Sequence, residues 1–172
     1  TGPGGVGKTT LAHVVAARSR RPAVYVATLA EVSSGTDLAR VLLDVVGNPG
    51  VADGDPRRAL AASLALPGTV LVLDNCEHLV DQVADLIGPL LAICPELRIL
   101  ATSRRPLDLG AEHVHRLEAL DAASAAELFR ARALAARSGQ IIDDEELEKL
   151  LHRLDGIPLA IELAAARTRS LS

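Results

Sequence analysis

Lysine and threonine stand side by side at Lys8-Thr9, preceded by glycines at positions 2, 4, 5 and 7, in the run Gly2-Pro3-Gly4-Gly5-Val6-Gly7-Lys8-Thr9-Thr10. This is the spacing G-x-x-x-x-G-K-[ST], which suits a polyphosphate. Glycines let the backbone curl so that successive N–H groups converge on phosphate oxygens without a side chain in the way. A helix starting directly after the loop points the positive end of its dipole at the same anion. Lys8 is placed to reach the β- and γ-phosphates, and the Thr9 hydroxyl to take a position on Mg²⁺. Gly2, Gly4, Gly5, Val6, Gly7, Lys8, Thr9 and Thr10 are therefore the candidate nucleotide-binding residues. The lysine is not an accident of composition, since most of the 18 basic residues are arginines.

A loop of this kind leaves a parallel strand and enters a helix, and the remaining sequence supplies the elements to hold it. Residues 8–18 suit a helix, with Leu11, Val14 and Val15 on one face. Residues 23–27 form a short, β-branched apolar run. Thr36 can cap a helix whose apolar residues Leu38, Val41, Leu42, Val45 and Val46 recur at helical spacing, ended by Gly47 and Pro49. Asp55-Pro56 opens another helix as N-cap and first-turn proline, running to about residue 66. Residues 69–74 are a nearly all-apolar strand that ends in Asp74, and a helix follows over 79–93. Residues 98–103 form a third strand, ending in Thr102 and Ser103 just before Arg104, and 113–117 alternate weakly with period two. Strands alternating with helices imply a parallel α/β sheet covered on both faces. Beyond Asp121 only helices are expected, at 122–137, 144–154 and 158–168. The reading is a nucleotide-binding domain over 1–118 and a helical subdomain over 119–172. Because Thr1 begins directly on the loop, we expect a strand to precede it in a longer protein, and both domains to be truncated.

Ligands of open parallel sheets sit outside the carboxyl ends of the strands. Asp74 lies at such an end, where it can hold Mg²⁺ directly or through water. Many ATP-hydrolysing proteins carry a second carboxylate next, to orient or deprotonate water. Here the residue is Asn75, whose amide hydrogen-bonds water but accepts no proton. Glu77, two residues on, is the candidate substitute, so slow hydrolysis is expected. Arg104, at the next strand end, is placed to reach a γ-phosphate and tell ATP from ADP. Lys8, Asp74, Glu77 and Arg104 are thus the catalytic candidates, and Thr9 and Asp74 the metal ligands. No N-K-x-D guanine reader occurs, which favours adenine.

Composition narrows the alternatives. The chain has 172 residues, 49% hydrophobic and 23% charged, which suits a globular domain plus an appendage. Net charge is −4 and the arginines are scattered apart from Arg18, Arg20, Arg21 and the pair Arg104-Arg105, so direct nucleic-acid contact by this segment is not expected. No apolar run reaches the ~18 residues a membrane span needs. Cys76 and Cys94 match neither a zinc pattern nor a disulfide scaffold and are expected as buried thiols of a cytoplasmic protein. His113 and His115 share a strand face without a third metal ligand.

Three blocks together carry a family resemblance: residues 2–10, the run Val70-Leu71-Val72-Leu73-Asp74-Asn75-Cys76-Glu77-His78-Leu79, and the run Ile99-Leu100-Ala101-Thr102-Ser103-Arg104-Arg105-Pro106-Leu107. Gly156-Ile157-Pro158-Leu159-Ala160 follows. With these, nearly the whole chain resembles the NB-ARC branch of the STAND signal-transduction ATPases, and the second and third blocks are most similar to bacterial LuxR-type and SARP-type transcriptional regulators. The resemblance implies a P-loop sheet of order 2-3-4-1-5 followed by an ARC1-like helical bundle. It implies that Pro158 packs near the adenine and that Arg104 is the first sensor. It also implies an ATP/ADP switch in which ADP clamps the two domains, with Mg²⁺ as cofactor, other domains of the parent chain as partners, and nucleotide-dependent self-association. The competing readings are an AAA-type ATPase whose turnover drives work, which Asn75 disfavours, and a fragment unable to bind nucleotide.

Overall fold

The computed structural model describes residues 1–48, 54–135 and 143–168. Its contacts divide into two compact units: Thr1 with Lys8–His115, and Gly2–Gly7 with the residues from Arg116 onward.

The first unit is an α/β layer built on three parallel strands in the order β1-β2-β3: Ala23–Thr28, Thr69–Asp74 and Arg98–Ala101. Register pairs Thr28 with Asp74 and Leu73 with Ala101, so the carboxyl ends of all three strands lie together. α1 (Lys8–Arg18) precedes β1, α2 (Leu38–Val45) and α3 (Pro56–Leu64) join β1 to β2, and α4 (Val80–Ile93) joins β2 to β3. The central strand explains the apolar run. Leu71 and Leu73 point to one face, among Leu42, Leu60, Leu64, Val83 and Ile87 of the helices, while Val72 points to the other, and all three are fully buried.

Local chemistry fixes the element ends. Asp55 caps α3 by accepting from Arg57 N (3.0 Å), with Pro56 in the first turn. α2 is capped by Asp37, accepting from Ala39 N (3.1 Å), and not by Thr36, whose hydroxyl pairs with Ser33 Oγ (2.8 Å). The shorter-reaching of two adjacent cap residues yielded to a carboxylate one place nearer the helix. α4 runs through Pro89, whose missing N–H leaves the carbonyl of Asp85 without its helical donor. Arg57 Nη1 donates to that same oxygen at 3.2 Å.

Leu11, Val14 and Val15 share a side of α1 as expected; they are 42%, 39% and 46% exposed, and Ala12 is the residue this helix buries. Two further expectations are corrected. Residues 113–117 make no strand: alternation supplies a face but not a ladder partner. β3 ends at Ala101, so Thr102 and Ser103 lie just beyond it.

The second unit packs α5 (Ala122–Ala135), α6 (Asp144–Arg153) and α7 (Pro158–Arg167) around Ala125, Phe129, Leu147, Leu151, Ile161 and Ala165. Arg130–Asp144 (2.6 Å) and Arg132–Glu162 (2.9 Å) bridge the helices at the surface. Asp121 opens α5 by accepting from Ser124 N (2.7 Å), a bond that holds its carboxyl below the usual range. Asp143 caps α6 through Glu146 N (2.8 Å). Gly156, at φ +64°, turns the chain into α7; a Cβ there would strike the carbonyl oxygen of Leu120, whose N–H donates to Gly156 O at 2.9 Å. The end of the helix expected at 122–137 and the residues beyond 168 lie outside the described residues.

Candidate nucleotide site

Residues 2–7 form a loop that uses left-handed glycine backbone at Gly5 (φ +76°) and Gly7 (φ +99°). Gly4 is exposed and Val6 is buried. Gly5 is held from α7: its carbonyl accepts from Leu159 N at 3.1 Å, and a Cβ on it would lie 2.9 Å from Leu159 Cβ and 3.2 Å from Ile157 Cγ2. Pro158, at the first turn of α7, is half-buried between those two residues in sequence. Ile157 and Leu159 were not legible as loop supports, since nothing local in sequence links position 5 to the start of a helix so far along the chain.

The loop leads straight into α1, where Lys8, Thr9 and Thr10 occupy the first turn. Backbone N–H groups of a first turn have no partner within their own helix, which makes the turn a donor site for anions. Lys8 is half-buried there, whereas Thr9 and Thr10 are exposed. Thr9 Oγ1 donates to Asp74 Oδ1 at 2.9 Å. Asp74 is 3% exposed at the last position of β2, so two motif residues 65 positions apart meet at the carboxyl end of the central strand.

Asp74 is held from a second direction. Thr102 Oγ1 donates to the same Oδ1 at 2.6 Å, and its oxygen accepts from Asn75 N at 2.9 Å. The Thr102 main chain binds the same turn: its N–H donates to Leu73 O and its carbonyl accepts from Cys76 N, both at 2.9 Å. Asn75 between them is left-handed, φ +67°, a conformation that asparagine tolerates better than most residues. A strand ending in hydroxyls was the signal for Thr102; its bond to the metal candidate was not readable from position alone.

Glu77 and Arg104 form a second cluster. Arg104 Nε donates to Glu77 Oε1 at 3.1 Å. With its amide nitrogen turned to the carboxylate, Asn75 donates to Glu77 Oε2 (2.7 Å) and Oε1 (3.0 Å). Next to it Arg105 Nη2 reaches Asp81 Oδ1 at 3.2 Å, so two consecutive arginines lie on two acids four residues apart at the start of α4. Cys76, within this turn, is fully buried and donates to Leu73 O; burial first, then the nearby charges of Asp74 and Glu77, push its thiol up to about 12.

Chemically, a threonine hydroxyl and a carboxylate at hydrogen-bond distance are hard oxygen donors of the kind Mg²⁺ takes. Among the described residues no group of three or more His, Cys, Asp and Glu could hold a metal ion. Two such donors fill only part of the octahedral shell that Mg²⁺ prefers, so its remaining positions would fall to water or another ligand. Also among the described residues, no helix is long and apolar enough to cross a membrane.

No family model matches the chain. It is 40% identical, over 99% of its length, to a Mycobacterium tuberculosis protein named "Putative HTH-type transcriptional regulator", and spans 20% of that protein. It is 33% identical, over 96% of its length, to the regulatory protein AfsR of Streptomyces griseus, of which it spans 18%. Among solved structures it is similar to a signal transduction ATPase with numerous domains (STAND) protein with a tetratricopeptide repeat sensor from Pyrococcus horikoshii. That match has a TM-score of 0.63 at 21% identity, covering 95% of this chain and 26% of the other. The chain thus spans about one fifth of the length of the regulators it matches.

Proposed function

We propose that this chain is the adenine-nucleotide switch module of a transcriptional regulator of the STAND class, in its NB-ARC branch, with a P-loop NTPase core. The observation that carries this is the hydrogen bond between Thr9, from the phosphate-loop motif, and the buried Asp74 at the end of β2. The relatives add the regulatory setting and the Pyrococcus protein adds the fold. In this reading residues 1–118 bind ATP or ADP, residues 119–172 form the helical subdomain, and the protein works in the cytoplasm with further domains of the parent chain and other copies of itself as partners.

The residue roles follow from chemistry. Main-chain amides of residues 2–9 and the Lys8 ammonium bind the phosphates, Thr9 and Asp74 hold Mg²⁺, and Pro158 lies by the adenine. The cation, when bound, neutralises phosphate charge. Arg104 reads the γ-phosphate after leaving Glu77. A ligand shifts a conformational equilibrium only by its differential affinity for the two states, so Arg104 is the group that makes ATP and ADP unequal. Among the described residues no base is in place at the strand end: Asn75 accepts no proton, and its amide engages the Glu77 carboxylate after Arg104 has left it. Hydrolysis is therefore slow, on the order of minutes per turnover against a common ~10 s⁻¹.

Thermal melting of the protein that carries this chain tests the reading. ADP with Mg²⁺ raises the midpoint in a concentration-dependent way. An unmoved midpoint at millimolar ADP, or multiple-turnover hydrolysis near ~10 s⁻¹, contradicts it.

A further inference from the structure

Resting on the nucleotide reading above, we propose that Thr102 is the positioning residue for the metal-holding carboxylate of Asp74. Thr102 is 6% exposed and bonds four consecutive residues, 73 to 76, through its N–H, carbonyl and hydroxyl. Such a set orients a side chain more tightly than the strand end alone.

The two hydroxyls on Asp74 Oδ1 are not equivalent. Thr9 Oγ1 has its oxygen lone pairs at an exposed helix start, and a hydroxyl that ligates a cation turns its proton away from it. When the site fills, the Thr9 oxygen is shared between cation and carboxylate, whereas the Thr102 oxygen is committed to the Asn75 N–H. That bond directs the Thr102 proton at Asp74 in either state. One oxygen of the carboxylate stays tethered, and the rest of its acceptor capacity keeps its aim. The same hydroxyl ties Asp74 to the left-handed residue Asn75, whose amide faces Glu77, so the hydroxyl fixes the aim of the turn as well.

The test is calorimetry of ADP binding to the full protein, with Mg²⁺ and with EDTA, for wild type, Thr102→Val, Thr102→Ala and Thr102→Ser. Losing a hydrogen bond to a charged group corresponds to about a tenfold effect. Thr102→Val is expected to lose about tenfold in ADP affinity with Mg²⁺ and to bind as wild type in EDTA, while Thr102→Ser restores both. Thr102→Ala, which fits in less space, gives the same answer where the valine variant does not fold. Full Mg²⁺ enhancement in the hydroxyl-free variants overturns the proposal. So does an equal loss with and without Mg²⁺, which marks a merely structural role. Wild type that binds ADP equally well in Mg²⁺ and EDTA overturns the magnesium site itself and the Thr102 role with it. Wild type that binds no ADP at all overturns the nucleotide reading.

Discussion

Arg104 Nε sits 3.1 Å from Glu77 Oε1, an ion pair in which the guanidinium side is 67% exposed. Exposed pairs contribute about 0–1 kcal/mol, so this contact is cheap to break and its cation is available to a ligand. Arg104→Gln is expected to leave the melting temperature nearly unchanged while reducing the ratio of ATP to ADP affinity severalfold. Competition titrations measure the ratio; an unchanged ratio removes Arg104 from the γ-phosphate role.

Arg57 and Pro89 compensate one another through Asp85 O. A net hydrogen bond of this kind is worth ~1 kcal/mol. Arg57→Ala alone should cost about that in urea unfolding. In a Pro89→Ala background, where residue 89 regains its N–H, the cost should shrink. A double-mutant cycle reads the coupling directly, and additive effects would mean that the guanidinium does not stand in for the missing donor.

Gly5 and Gly156 have no room for a methyl group. An L residue at Gly5 adopts an unfavourable φ and meets Leu159; at Gly156 it meets a backbone oxygen that cannot move aside cheaply. Gly5→Ala is expected to destabilise by about 1–2 kcal/mol and Gly156→Ala by more, by chemical denaturation. Because Leu159 N donates to Gly5 O, Gly5→Ala should also speed amide exchange at Leu159; unchanged exchange there would mean that α7 does not support the loop.

The Cys76 thiol gives a pH signature. Its ionisation moves from the ordinary 9.0 up to about 12, chiefly through burial. The fold therefore favours the neutral thiol. That contribution is complete below pH 9 and is lost as pH rises from 9 toward 12. Melting temperature should fall over this window less steeply in Cys76→Ala than in wild type. Maleimide labelling of Cys76 at pH 8 should need unfolding; rapid labelling of the native protein would show an accessible thiolate.

Part of the candidate site's geometry was legible because its signals are local or chemically rare. The phosphate-loop spacing named Lys8 and Thr9, and a run apolar on both faces before a carboxylate named β2 and Asp74. Asp55-Pro56 marked α3 because cap and proline sit side by side. What was not legible depends on distant chain. Thr102 meets Asp74 across 28 positions, and Leu159 meets Gly5 across most of the sequence. Periodicity put Leu11, Val14 and Val15 on one side of α1 but says nothing about what covers that side. The alternation at 113–117 failed for a related reason: a strand needs a neighbour's backbone, which side-chain pattern does not encode.

The account stands on residues 2–9 holding a phosphate chain, and the Lys8 ammonium is its most direct probe. Calorimetric titration of the full protein with ADP and Mg²⁺, wild type against Lys8→Ala, decides it. Saturable heat in wild type and none in the variant is the predicted result. Equal affinity in the two, or no heat from either, contradicts it.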